Sequence, residues 1–338
     1  MKFSLKTLFL FLSSLLIIFL ATSCLKSKNK FSFNSTNPKI VLVLPGSITE
    51  SLWNSSAFDG LKRIKSDYKN VEIAAVENVS TKESKAIFHA LAKQNYDLVI
   101  AYGYQYGAVL KKIAPKCPNT FFCVVDGDIF QGQNLSSFTF KDEQFGYLLG
   151  VIAGLNTATN KVGIVISRKI PSVERAIIGM REGLRSVNPK ADLVISYTKE
   201  QNSIPICREA AVDQINTGVD VVTHIVDIGG IGVIKAAEES DISAIGTVTD
   251  QHSFGPTTVL ASVILDISQI VYLVSELYLD KSLEPAIYRF GLKHELIDIT
   301  PSQGNIDPTT ENTIQGIKKQ LAEMESKEED KGNKKKKL

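Results

Sequence analysis

No cysteine or histidine spacing in this 338-residue sequence suits zinc: the cysteines are Cys24, Cys117, Cys123 and Cys207, and His89, His224, His252 and His294 are scattered. G-x-S-x-G, H-E-x-x-H and any persuasive acid–base pair are also missing, so an enzyme is not expected. Neither phosphate-cradling signature, G-x-x-x-x-G-K-[ST] or G-x-G-x-x-G, occurs, and no cofactor or metal is expected. Charge of one sign is lacking too. Thirty-eight basic against 36 acidic side chains leave a net charge of +2, which gives the body no nucleic-acid footprint. Aromatic planes of the largest kind are nearly absent, since Trp53 is the only tryptophan.

What is present begins with a sorting signal. Lys2 and Lys6 precede an apolar stretch from Leu8 to Ala21, and small residues lead up to Cys24. The apolar stretch is shorter than the roughly 20 residues a membrane-spanning helix needs. This is the shape of a bacterial lipoprotein signal, with residues 1–23 removed, Cys24 lipidated and residues 24–38 a flexible tether. A lipid-anchored place in the bacterial cell envelope follows. At the other end, residues 311–338 read as a helix passing into a disordered, solvated charge run, "ESKEEDKGNKKKKL". Cys117 and Cys123 are near enough in sequence to bridge in an oxidising compartment, yet Cys123 lies in the apolar run "FFCVV" and also reads as a core residue.

The remaining body is long enough for two lobes. "KIVLVLP", "VEIAAV", "YDLVIAYG" and "TFFCVVDG" lack two-residue alternation and read as buried parallel strands. Helical three- and four-residue spacing fills the intervals between them. The pattern restarts with "FGYLLGVIAGLNTAT" as a helix, then "KVGIVIS", "ADLVISY", "VDVVTHIV" and "SAIGTVTD" as strands. A long amphipathic helix is expected at about 257–280, and "PAIYRFGLKHELIDI" is the last strand-like piece. The fold class is therefore α/β, two doubly wound lobes in a periplasmic-binding-protein architecture. Residues 39–137 with about 253–284 would form the N-terminal lobe, and 138–252 with about 285–310 the C-terminal one.

Ligands of open α/β sheets lie off the carboxyl ends of the strands. That rule selects Ser47 to Asn54, Tyr102 to Tyr106, Asp126 to Asp128, Lys199 to Ser203, Asp227 to Gly232 and Thr247 to Gln251. Trp53 can stack on a flat ligand while Asn54 reads its polar edge; equally, Trp53 can cover the core and Asn54 cap a helix. "DIGGIGV" can bring backbone amides close to a ligand around Gly230, or simply make a tight turn. Asp126 and Asp128 are candidate acceptors for ligand amines or hydroxyls, or turn formers.

"GSITESLWNSSAFDGLKR", "VVDGD", "SSFTFKDEQFGYLLGVIAGLNTATNKVGIV", "GGIGVIKAA" and "IGTVTDQ" together resemble the basic membrane protein family, in order and spacing, over most of residues 39–300. That family comprises purine-nucleoside receptor lipoproteins serving ABC-type importers. The resemblance implies a type I periplasmic-binding-protein fold and a small-molecule ligand, a purine nucleoside or similar, held between lobes, with an ABC permease as partner. Together with the strand-end rule, which supplies Ser47 and Gly230, it puts Ser47, Glu50, Trp53, Asn54, Asp126, Gln201, Gly230 and Asp250 at the ligand. It also shows departures: Thr49 replaces an acid, Gln201 an aromatic, Val248 the acid that would accept sugar hydroxyls, and Leu265 a lysine. Ribose hydroxyls facing Val248 and Leu265 would be stranded donors at about 1–3 kcal/mol each. Two such losses weaken binding by roughly two powers of ten. A second expectation follows, a surface lipoprotein or antigen that keeps the fold and acts on host or other macromolecules.

Overall fold

A computed structural model describes residues 31–33 and 35–336. The expected signal, residues 1–23, and the lipidation residue Cys24 lie outside the described residues. The first lobe is built from β1 (Lys39–Val43), α1 (Leu52–Asp67), β2 (Glu72–Val76), α2 (Thr81–Lys93), β3 (Leu98–Tyr102), α3 (Gly107–Ile113), β4 (Phe121–Val125) and β5 (Leu135–Phe140). The chain then crosses over. The second lobe takes α4 (Asp142–Asn156), β6 (Lys161–Ile166), α5 (Pro171–Val187), β7 (Asp192–Tyr197), α6 (Ile204–Asn216), β8 (Val221–Ile225), α7 (Gly230–Glu239), β9 (Ser243–Val248) and β10 (Val259–Leu265). It returns for α8 (Ile267–Leu279) and β11 (Ile287–Phe290), crosses a third time into β12 (Ile297–Ile299), and ends in α9 (Pro308–Lys336).

Among the described residues the strands form two sheets, in the orders β11-β5-β4-β3-β1-β2 and β12-β10-β9-β8-β6-β7. Apart from β11 and β12, the five strands of one sheet correspond one for one to those of the other, so the second lobe repeats the first. Each central strand is buried on both faces, which is why its sequence is a continuous apolar run rather than an alternating one. In the first lobe Val41, Val99, Phe122 and Val124 pack against Phe88, Leu91, Leu110 and Ile113. Val165 and Val222 meet Cys207, Ala211, Val233 and Ala237 in the second. Ser80 starts α2 with a capping box, accepting from Glu83 N while the Glu83 carboxylate accepts from Ser80 N.

Two expected segments are corrected by the strand pairing. The helix expected at about 257–280 is two elements, because "VLASVIL" is a strand registered with β9, Ile264 opposite Val248. Its β-branched and small residues suit a doubly buried strand, and Asp266 then caps α8 by accepting from Gln269 N. The piece "PAIYRFGLKHELIDI" also divides. Ile287–Phe290 pairs parallel with β5 in the first sheet, while Ile297–Ile299 pairs antiparallel with β10 in the second. The crossings therefore fall after Phe140, Leu265 and Phe290 rather than at the expected lobe boundaries. Disorder was expected beyond the start of the C-terminal helix, but α9 continues as far as Lys336, consistent with the helix propensity of its Lys- and Glu-rich sequence.

The crossing helices hold the lobes' backs. α4 and α5 meet through Gly146, Gly150 and Gly154 on one side and Gly179 and Gly183 on the other. A Cβ on Gly146 would sit 1.8 Å from Ala176 O, and one on Gly150 2.1 Å from Met180 O, so the two backbones touch. Glu325 of α9, buried, joins the first and third crossings. It accepts from Gln144 Nε2 and from Lys293 N, both at 3.0 Å, and pairs with Lys141 Nζ at 2.9 Å. Burial alone would raise the Glu325 pKa; donors from His294, Lys293, Lys141 and Gln144 outweigh it and pull the carboxyl down to about 2.

Cys117, Cys123 and Cys207 are free thiols, and Cys123 is buried in β4. The bridge allowed by sequence is not formed.

Candidate functional site

The carboxyl ends of the two sheets face one another, and their loops meet. On the first lobe Ser51 caps α1, its hydroxyl accepting from Asn54 N at 3.1 Å. The same hydroxyl donates to Asp227 Oδ2 at 2.5 Å, across to the loop after β8 in the second lobe. Backbone N–H groups of Leu52 and Trp53 also donate to the Asp227 carboxylate. A carboxylate of one lobe thus fills the electropositive N-terminus of the other lobe's first helix. Burial raises the Asp227 pKa, and the three donors offset part of that rise.

A reciprocal contact runs the other way. Asp126, just after β4, accepts a long hydrogen bond of 3.4 Å from Ser172 Oγ in the first turn of α5. Its backbone is left-handed at φ 60°, a conformation aspartate tolerates. Burial pushes its carboxyl up to about 6, against the pull of Ser172 and of the Arg175 guanidinium. Arg175 is itself held by the buried Asp142, through Nη2 at 2.7 Å and Nε at 3.0 Å. Pro171 opens α5 at a position where its missing N–H costs nothing, which delivers Ser172 and Arg175 to this junction.

Trp53 lies between these contacts. Its ring is half-buried and leans on Tyr102, the last residue of β3, with centroids 5.5 Å apart and planes 36° from parallel. Asn54 is buried; its Nδ2 donates to Ser47 O at 3.2 Å, while its Oδ1 has no protein partner. The Tyr102 hydroxyl has none either.

Other residues expected at the site stand differently. Ser47 supports the loop through that carbonyl and through a 3.0 Å contact between its Oγ and Thr49 Oγ1, and Glu50 is exposed at the loop's edge. Gln201 contributes its carbonyl, which accepts from Asp227 N at 3.0 Å and Gly229 N at 2.9 Å and so sets the Asp227 loop; its side chain is exposed. Gly230 is a packing glycine, since a Cβ there would lie 2.0 Å from the His224 ring. Asp250 turns to His252, accepting from its N at 3.0 Å, beside a surface hollow with Ser253, Pro256 and Gln303. Asp128 is tied to Arg289 by an exposed ion pair of 2.6 Å. Ser51, Tyr102, Asp227, Ser172 and Arg175 were not singled out by sequence. The strand-end rule reached the first three only as members of ranges and did not reach the last two.

Beneath the second lobe's rim a buried network fixes Val248. Gln251 Oε1 accepts from Thr247 N at 2.9 Å and lies 2.9 Å from His224 Nε2. An acceptor there assigns the imidazole proton to Nε2, leaving Nδ1 to accept from Thr247 Oγ1 at 3.2 Å. Burial lowers the His224 pKa to about 4, so the ring is neutral. Val248 emerges from this network at φ 69°, in a turn closed by Thr249 N to Thr247 O at 2.8 Å.

Two lobes meeting over strand ends, with an aromatic at the seam, define a cleft-type solute-binding protein. Residues 37–331 match the family described as Bmp, ABC transporter substrate-binding protein PnrA-like, and the chain belongs to that family. Basic membrane protein A2 of Borrelia garinii subsp. bavariensis is 24% identical over 319 residues, covering 92% of this chain and 94% of the relative. The CD4+ T-cell-stimulating antigen of Listeria monocytogenes serovar 1/2a is 29% identical over 225 residues, 63% of each chain. Among solved structures, an ABC transporter system solute-binding protein from Aeropyrum pernix K1 superimposes with TM-score 0.75 at 18% identity, over 85% of this chain and 92% of that one. That likeness is one of fold, and the fold is the type I binding-protein architecture. Family members are extracytoplasmic solute-binding proteins rather than enzymes, and they imply a small-molecule ligand and a permease.

Proposed function

We propose that the chain is a lipid-anchored receptor that binds a purine nucleoside or a related planar solute between its lobes and presents it to an ABC permease. The observation that carries this reading is the seam itself. Trp53 leans over Tyr102 between two carboxylates, Asp126 and Asp227, that each reach from one lobe to a helix of the other. An indole gives a planar ring a stacking surface, and Asn54 Oδ1 and Asp126 give its N–H groups acceptors. Breaking the Ser51–Asp227 and Ser172–Asp126 contacts would open the lobes by hinge motion at the three crossings. Cys24 would carry the lipid, and its replacement by serine would release the protein from membranes. Calorimetric titration of the purified protein with guanosine, inosine, adenosine and the free bases tests the reading. Saturable heat with at least one supports it, and no heat and no thermal shift with any removes it.

A second reading, a surface antigen with a disused pocket, is favoured by one specific feature. Val248 and Leu265 end the neighbouring strands β9 and β10, Leu265 one residue past the Ile264 that pairs with Val248, and there the family resemblance expects an acid and a lysine. If the double substitution Val248→Asp, Leu265→Lys creates nucleoside binding that the parent lacks, this second reading prevails. A nucleoside that co-purifies with the parent counts against it.

A further inference from the structure

Tyrosines 102 and 106 are both fully buried at the end of the same strand and its following turn, and they differ in one respect. Tyr106 donates to Val79 O at 2.6 Å, a structural hydrogen bond inside the first lobe. The Tyr102 hydroxyl has no partner. Buried hydroxyls are ordinarily bonded, so an exception at the seam between the lobes asks what completes it. Along β3, Val99 and Ala101 point into the core under α2 and α3, which sends Tyr102 to the opposite face, beneath Trp53. Carboxylates of both lobes, Asp126 and Asp227, act on it there, and burial together with them holds its pKa well above the ordinary 10.0. It is therefore a protonated donor at any physiological pH.

We propose that the Tyr102 hydroxyl is a ligand contact, donating a hydrogen bond to an acceptor atom of the solute that enters under Trp53. The inference rests on the receptor reading above and sharpens it. Asn54 Nδ2 gives one of its two N–H groups to Ser47 O and its Oδ1 is left as an acceptor, and the nearby carboxylates only accept when ionised. Tyr102 adds an unpartnered neutral hydroxyl donor beside these acceptors. The solute it fits has a ring edge carrying both an acceptor, such as a carbonyl oxygen or ring nitrogen, and an N–H donor.

The test is Tyr102→Phe, which removes the oxygen and nothing else. Two quantities are compared with the parent: Tm of the full chain without added solute, and affinity by calorimetry for guanosine, inosine and adenosine. An orphan hydroxyl predicts a Tm unchanged or raised, together with roughly 10-fold weaker binding of the tightest nucleoside. A Tm lowered by several degrees would mean the hydroxyl has a protein partner, and unchanged affinity would mean the solute ignores it; either overturns the proposal. If the parent binds none of the three, the nucleoside reading fails by itself, and Tyr102 is judged on co-purified small molecule. Mass spectrometry should then find about 10-fold less solute on the variant than on the parent. Equal amounts, or none on either, overturn the assignment.

Discussion

Asp126 in the first lobe and Val248 in the second occupy equivalent ends of equivalent strands, β4 and β9, and share a left-handed backbone, φ 60° and φ 69°. The backbone is repeated; the chemistry is not. Aspartate adopts this conformation readily, whereas a β-branched residue does so only under constraint. The constraint is visible in the buried His224–Gln251–Thr247 network that anchors the residue before Val248, and in the Thr249 N to Thr247 O bond that closes the turn. Strain held by such a network concentrates at functional sites. The comparison separates what the fold requires at a strand end, a sharp exit, from what binding requires, a polar group. The first lobe sets a carboxylate on that exit and the second an isopropyl group.

The lobes also differ in how their crossing helices are held. α4 and α5 touch through five glycines, while α1 meets α8 closely at Gly60, where a Cβ would lie 2.2 Å from Ser268 O. The largest expected effect follows from that contrast. Gly150→Val should lower stability by about 3 kcal/mol or more, because neither backbone can move without disturbing the other four glycine contacts nearby. Gly60→Ala, with a single helix to shift, should cost less; chemical denaturation of the two variants ranks them.

Glu325 bears on the same hinge. Glu325→Ala should cost roughly 2 kcal/mol and speed hydrogen exchange in α9 more than in β1 or β6. Its pH behaviour has a definite sign. With the folded value near 2, below the ordinary 4.5, its stabilisation is present above pH 4.5 and is lost as pH falls toward 2. Glu325→Gln should flatten that acid limb.

Relief of the strained strand end comes next. Val248→Asn keeps the turn with a residue that tolerates it and should raise stability by roughly 1 kcal/mol, read as an increased Tm. A decrease would mean the isopropyl group packs well enough to offset its backbone cost. The smallest effect belongs to Asp126. Its folded pKa, about 6, lies above the ordinary 3.8, so its favourable contribution is complete below 3.8 and is lost as pH rises through about 6. Asp126→Asn should remove that slope from the Tm-against-pH curve, while solute binding that needs the ionised carboxylate strengthens over the same range in the parent.

Much of this was legible beforehand. The parallel strands announced themselves as unbroken apolar runs, and the restart after "SSFTF" announced a second lobe. Where sequence failed, local pattern was ambiguous for a physical reason. "VLASVIL" has apolar residues at spacings that suit helix and buried strand alike, and only pairing with β9 decides. "PAIYRFGLKHELIDI" belongs to two sheets, which no local pattern encodes. At the site, Trp53 and Asp126 stood out because rarity and position mark them. Asp227 and Ser172 matter through a partner in the other lobe, 176 and 46 residues away along the chain, and such contacts leave no mark on either segment alone.

Because Trp53 is the sole indole, its emission reports on the seam without labels. Titrating the full chain with guanosine, inosine and adenosine should give a saturable change in intensity or wavelength with at least one of them, abolished in the chain carrying Asp126→Ala with Asn54→Ala. An emission spectrum indifferent to every nucleoside and base, in a protein that is folded by its own melting curve, would contradict the account.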